Sequence, residues 1–135
     1  MTTKHQGACL CGDVRFELEG DFQSFYLCYC QWCQKDTGSA HAANLFAAAS
    51  VLTWVSGRGS VRTYRHANTR HSRSFCQNCG SAVPTVAEEL GFVVVPAGCL
   101  DGAVPIAPTA RLFVSRRPEW CQQLEAVRGF DALPE

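Results

Sequence analysis

The sequence predicts a mainly β fold with one or two short helices. Turn-forming glycines recur along it, at Gly12, Gly20, Gly38, Gly57, Gly59, Gly80, Gly91, Gly98 and Gly102. The segments between them are short and mostly strand-like. No segment carries a long 3.6-residue apolar period, the mark of an amphipathic helix.

Taken in order, Val14, Phe16 and Leu18 alternate with Arg15, Glu17 and Glu19, the period-2 pattern of a half-buried strand. Ala47 to Leu52 (AAASVL) reads as a helical turn. Val61 to Arg65 and Arg73 to Phe75 read as a hairpin around the polar tip Ala67 to Arg70. Phe92 to Val95 is a continuous apolar, Val-rich run, as in a strand buried on both faces. Ala110 to Val114 is a further strand, and Glu119 to Ala126 a second helical turn.

Length and composition narrow the class. The 135 residues suit one domain over 1–135, and no proline-rich linker, charge block or repeat divides them. With 47% apolar and 18% charged residues, the chain is not intrinsically disordered. Twelve basic and twelve acidic side chains give zero formal net charge, which provides no electrostatic case for nucleic acid or an anionic membrane. No apolar run approaches the ~18 residues of a membrane span. The N-terminal MTTKHQGACLCGD has no hydrophobic stretch that would serve as an export signal, so a cytoplasmic location is expected.

The nine cysteines are the anomaly. A reducing compartment disfavours disulfides, and an odd count cannot pair fully. Metal ligation or redox chemistry is the first reading. A thioredoxin-like pair belongs to a βαβ pattern that is absent here. An iron–sulfur cluster shares the four-thiolate chemistry but ranks behind zinc.

Seven cysteines fall into three clusters: Cys9-Leu10-Cys11-Gly12, Cys28-Tyr29-Cys30-Gln31-Trp32-Cys33 and Cys76-Gln77-Asn78-Cys79-Gly80. A C-x-x-C-G turn reads as a zinc knuckle, in which two thiolates converge on one ion and Gly relieves the backbone. A closed structural site needs two ligands more. One division joins Cys76 and Cys79 to Cys9 and Cys11 and leaves Cys28, Cys30 and Cys33 as a three-thiolate site. Its vacant fourth position is the feature that separates catalytic from structural zinc. The other division joins the knuckle to two of the triplet and strands the remaining thiols. The first uses whole local clusters and is preferred, although spacing alone leaves both open. Seven thiolates and two dications would bring the net charge to roughly −3, further from a nucleic-acid binder.

These clusters, with Gly7-Ala8 before the first, Asp13-Val14 after it, Thr37-Gly38-Ser39, Ser74-Phe75 and Ser81 around the knuckle, Pro96-Ala97-Gly98, Leu100-Asp101 and Pro118-Glu119-Trp120, resemble the glutathione-dependent formaldehyde-activating enzyme family, also called the CENP-V/GFA domain, over roughly residues 5–133. The resemblance implies a β-tent fold of packed antiparallel sheets holding two Zn²⁺ per chain. It implies a structural zinc on Cys9, Cys11, Cys76 and Cys79, and a second, open zinc on Cys28, Cys30 and Cys33 as the active centre. It implies condensation of glutathione with formaldehyde to S-(hydroxymethyl)glutathione, a carbon–sulfur lyase reaction written in reverse.

The expected function is therefore a zinc-dependent carbon–sulfur lyase acting on the adduct of an aldehyde with a small thiol such as glutathione. Three thiolate ligands soften the Lewis acid and favour a sulfur substrate over water. Thr37, Gly38, Ser39 and His41 follow the triplet and are the candidate substrate-binding residues. His41 and Asp36 are candidate bases, Trp32 a candidate wall, and Arg62, Arg65, Arg70 and Arg73 candidate partners for the carboxylates of glutathione. The alternative is a non-catalytic zinc module for protein interaction or metal handling. A fourth ligand from Cys99, Cys121 or His41 would close the triplet and favour that alternative. A chromatin role is disfavoured by the balanced charge.

Overall fold

The structure, a computed structural model, describes residues 3–134. It contains three sheets and, among the described residues, a single α-helix. Strand β1 (Lys4–Ala8), β2 (Arg15–Glu19) and β5 (Val51–Ser56) form the first sheet, in the order β1-β2-β5. The second has five strands, β11 (Ala110–Leu112), β3 (Ser24–Cys28), β4 (Ala42–Ala48), β10 (Phe92–Pro96) and β9 (Thr85–Ala87), in that order. The third is β6 (Val61–Arg65), β7 (Ser72–Cys76) and β8 (Ala82–Val83). Pairing is antiparallel except between β11 and β3, which run parallel. The mainly β expectation holds, and among the described residues no helix is long and apolar enough to cross a membrane.

The alternation in β2 has the predicted result. Phe16 and Leu18 are buried, and they meet Leu45 and Ala47 of β4 and Val93 and Val95 of β10 in the main core, with Phe22 and Phe25. Each large side chain so buried contributes about 1.5–3 kcal/mol. Gly7 faces this core at a close approach: a Cβ there would collide with the Phe16 ring and the Cys99 carbonyl oxygen. A second cluster of Cys9, Val14, Cys76 and Val83 joins the first sheet to the third.

The β6–β7 hairpin forms as expected, with Arg65 opposite Ser72 and the chain reversing between them. Strand β10 has its two faces occupied differently. Val93 and Val95 point into the core, whereas Phe92, Val94 and Pro96 line a cavity. The Ala110 strand ends at Leu112, and a single 3₁₀ turn, Val114–Arg116, follows.

The helical turn expected over Ala47 to Leu52 is corrected. That segment is the end of β4 and the start of β5, joined through Ala49, whose φ is 48°. Alanine favours helix, but Ala47 pairs opposite Val93 and is fully buried there, so tertiary pairing overrides local propensity. Glu119 to Ala126 forms two separate 3₁₀ turns, Glu119–Cys121 and Leu124–Ala126. The α-helix, α1 (Gln31–Thr37), starts instead within the cysteine triplet and runs past it. Its N-cap is Cys30, whose Sγ accepts the Cys33 N–H at 3.4 Å, and Gly38 ends it in the left-handed region at φ 64°. A cysteine cap lies outside the usual Ser, Thr, Asp and Asn signals, which is why periodicity and capping rules passed over it.

Candidate metal centres and the adjoining cavity

Two turns from distant parts of the chain build the first cysteine cluster. Cys9 and Cys11 lie in the β1–β2 connection, Cys76 ends β7, and Cys79 sits in the turn before β8. Gly12 and Gly80, at φ 84° and 76°, allow each turn to fold back. Gly12 N–H donates to the Cys9 carbonyl at 3.1 Å, and Gly80 N–H to the Cys76 carbonyl at 2.7 Å. The four Sγ atoms all lie within 4.8 Å of one another. Cys9 and Cys11 sulfurs are 3.6 Å apart, and Cys11 and Cys76 sulfurs 3.9 Å. A tetrahedral zinc with ~2.3 Å Zn–S bonds spaces its sulfurs by about 3.8 Å, whereas a disulfide needs ~2.05 Å. The donor set and spacing fit the metal, and all nine cysteines are free thiols.

Electrostatics within the tetrad points the same way. The Ser81 hydroxyl, the Ser81 N–H and the Cys11 N–H hold the Cys79 thiol down to about 5. Burial opposes ionisation of Cys9, but the Val14 N–H, 3.3 Å from its sulfur, and the neighbouring thiols bring it below its ordinary value. Cys11 is driven the other way. The Asp13 N–H favours its thiolate, yet desolvation and the crowd of Cys9, Cys79 and Cys76 push it up to about 12. Packed thiolates repel each other, and a divalent cation relieves that repulsion for all four.

The second cluster is local. Cys28 ends β3, Cys30 caps α1, and Cys33 is buried on the helix; their sulfurs also lie within 4.8 Å of one another. Burial and the neighbouring thiols hold Cys33 well above the ordinary thiol range. Burial also raises Cys28. Burial works against Cys30 too, but the Cys33 N–H and the adjacent thiols favour its thiolate and bring it below the ordinary value. No fourth His, Cys, Asp or Glu joins this group among the described residues. Of the candidates to close it, Cys99 packs beside the main core, where burial pushes its thiol up to about 12. Cys121 is buried with Tyr29 and Ala40, and His41 packs against Tyr29 with the rings tilted by 54° and their centroids 5.1 Å apart.

Cys33 opens onto a cavity of about 290 Å³. Its apolar wall is the face of the second sheet turned away from the core, with Ala42 and Phe46 of β4 and Phe92 and Val94 of β10. Polar groups converge on it from elsewhere. Asn44 of β4 lines it, and its side-chain amide has no hydrogen-bond partner among the described residues. Buried Ser74 bonds Thr63 at 2.8 Å and receives the Thr85 hydroxyl at 2.9 Å. Asp36, on the last turn of α1, faces His71 and Arg73: Oδ2 lies 2.9 Å from His71 Nε2 and Oδ1 2.6 Å from Arg73 Nε. The Arg73 contact is an ion pair whose N–H is not aligned on the oxygen. These three residues also line an outer cavity of about 480 Å³ with Trp32, Tyr64 and Phe75.

The residues expected around a substrate separate. Thr37 lines the cavity, but its hydroxyl donates to the Cys33 carbonyl at 2.8 Å and accepts the Ser39 N–H at 3.2 Å. Gly38 is the helix cap, and neither Gly38, Ser39 nor His41 lines this cavity. Among the four arginines, Arg70 and Arg73 line it. Arg62 bonds the Gly59 and Val61 carbonyls, and Arg65 pairs with Glu89. Sequence reasoning missed Asn44 and His71. The only available signal was polarity at position 44 within an apolar strand.

A crystal structure of a Rhodobacter sphaeroides protein superposes with a TM-score of 0.61 at 23% identity, covering 78% of this chain and 98% of that one, and so shares the fold. The family profile described as glutathione-dependent formaldehyde-activating enzyme matches residues 4–116, which include all seven clustered cysteines. This chain belongs to the glutathione-dependent formaldehyde-activating enzyme family.

Proposed function

We propose that the chain is a zinc-dependent carbon–sulfur lyase that makes and breaks the adduct of a small thiol with an aldehyde, resembling S-(hydroxymethyl)glutathione synthase. The observation that carries this reading is the three-thiol cluster, which has no fourth His, Cys, Asp or Glu donor among the described residues and one member, Cys33, lining a cavity with an apolar wall and convergent polar groups. Cys9, Cys11, Cys76 and Cys79 would hold a structural zinc, and Cys28, Cys30 and Cys33 a second one. A zinc ion held there would favour the thiolate form of a substrate thiol at neutral pH.

The chain's own residues do the rest. Ala42, Phe46, Phe92 and Val94 exclude water from the reacting carbon, which suppresses competing hydration of the aldehyde. The unpartnered Asn44 amide offers a donor to an oxygen that gains charge as the carbonyl is attacked. Arg70 supplies a cation for a carboxylate of the substrate, whereas Arg73 is paired with Asp36. The site suits a compact thiol with an anionic tail, which supports glutathione as the substrate class.

The test is two-dimensional exchange NMR on glutathione and ¹³C-formaldehyde with chain carrying two zinc ions. The expected result is accelerated exchange between the free and adduct forms, lost in Cys30→Ser. Exchange no faster than in protein-free buffer would sink the lyase reading.

A further inference from the structure

We propose that His71 is the proton carrier of this site and that Asp36 is the residue that positions it. The role rests on the lyase reading above. The sequence places the two residues 35 positions apart, one on the last helical turn of α1 and one just before β7. Asp36 is badly placed for the helix itself, because the C-terminal end of the dipole favours cations over carboxylates. Its stabilisation comes from outside α1, from Arg73 on one oxygen and His71 on the other.

The geometry settles which ring nitrogen is free. A carboxylate accepts only, so the 2.9 Å contact with Asp36 places the proton on His71 Nε2. In the neutral ring Nδ1 then carries the lone pair, and it has no protein partner among the described residues. The side chains of His71 and Asp36 are only 19% and 17% exposed, so the pair is held in place. Both line the 290 Å³ cavity together with Cys33. The arrangement follows the logic of an oriented histidine base: the carboxylate fixes the tautomer and offsets the charge that appears when the ring takes a proton. The other charged and titratable groups near the ring are Arg73 on β7, Arg70 in the turn, Tyr64 and His66 across the hairpin and Lys35 on α1.

The chemistry needs such a group. Joining a thiol RSH to an aldehyde R′CHO forms one C–S bond and converts the C=O π bond to an alkoxide. The thiol loses a proton, and the alkoxide gains one. His71 Nδ1 accepts the first and returns it as the second, so atoms and charge balance with no co-reactant. The reverse reaction uses the same proton in the opposite order.

The experiment compares the zinc-loaded chain with His71→Ala and Asp36→Asn, using glutathione and formaldehyde. Expected for His71→Ala is a loss in kcat of about 10²- to 10³-fold, with KM changed less than about threefold and unaltered metal content. Added imidazole, which fits the vacated volume, should restore at least about tenfold. Asp36→Asn should lose less, about tenfold, and should mix the His71 tautomers in ¹⁵N NMR. In wild type that spectrum should show protonated Nε2 and bare Nδ1 with or without metal, which keeps the role testable even if the Ala variant fails to fold. A wild-type ring protonated at Nδ1, a His71→Ala variant with full kcat, or a loss that imidazole does not rescue would each overturn the role alone. Absence of turnover in wild type would overturn the lyase reading and this role with it.

Discussion

The Leu10 N–H donates to Ser81 Oγ at 2.9 Å, across 71 positions of chain. That bond ties the Cys9–Cys11 turn to the Cys76–Cys79 turn without passing through a ligand. Ser81 Oγ also lies 3.5 Å from Cys79 Sγ. Because its oxygen accepts from Leu10, its proton is free to face the Cys79 thiolate. Ser81→Ala should therefore weaken metal retention at the tetrad by about 10- to 100-fold, the usual cost of removing a partner behind a ligand. Chelator competition on the purified variant measures it, and retention equal to wild type would dismiss the role.

Thiol reactivity in the metal-free chain should be ordered by charge environment. At pH 7, Cys79, at about 5, is thiolate, whereas Cys99, at about 12, is almost wholly protonated. The thiolate fractions differ by about five orders of magnitude, and the weaker nucleophilicity of a low-pKa thiolate takes back about three, leaving Cys79 roughly 100-fold faster. Burial of Cys99 widens the gap. Timed iodoacetamide labelling with peptide mass spectrometry reads this order, and comparable rates at the two sites would contradict it.

The same Cys79 environment has a stability consequence with a fixed sign. Its folded value is depressed from 9.0 to about 5, so its contribution is fully present above about 9 and lost as pH falls through about 5. Urea denaturation of the metal-free chain between pH 9 and 5 should show stability falling toward the acid end. Ser81→Ala should flatten that slope, because the hydroxyl is the largest cause of the depression.

The two clusters should fail differently. Cys76 is fully buried and sits in the contact between the first and third sheets. Cys76→Ser should reduce both metal content and thermal stability. Cys30→Ser should lower metal content by one ion per chain and abolish turnover, with a smaller fall in Tm, since Cys30 lies outside the buried core. Equal loss of Tm in both variants would remove the distinction between a structural and an open site.

Neighbouring residues on β4 should separate stability from chemistry. Leu45 is fully buried in the core, and Leu45→Ala should cost about 2–5 kcal/mol. Asn44, on the opposite face, lines the cavity. Asn44→Ala should leave Tm nearly unchanged and lower kcat by about 10²-fold, the range for loss of a donor to a developing oxyanion. Calorimetry and exchange kinetics on the two variants check the contrast.

The sequence alone determined what is local. Period-2 alternation set the faces of β2, turn chemistry set the β6–β7 hairpin, and cysteine spacing marked both the knuckle and the triplet. It also carried the family. These features are legible because each depends on residues a few positions apart. Where a local preference competed with pairing, the sequence misled: AAASVL is helix-like in isolation, but the cross-strand contact of Ala47 with Val93 decides its state. The tertiary structure places the thiols of Cys9 and Cys11 beside those of Cys76 and Cys79, a grouping that spacing leaves open and the family resemblance implies. It alone brought Asp36 to His71, turned Asn44 into the cavity and carried His41 out of it. The reason is physical: residue type states what a side chain can do, but the distance between groups remote in sequence is set by the register and stacking of whole sheets.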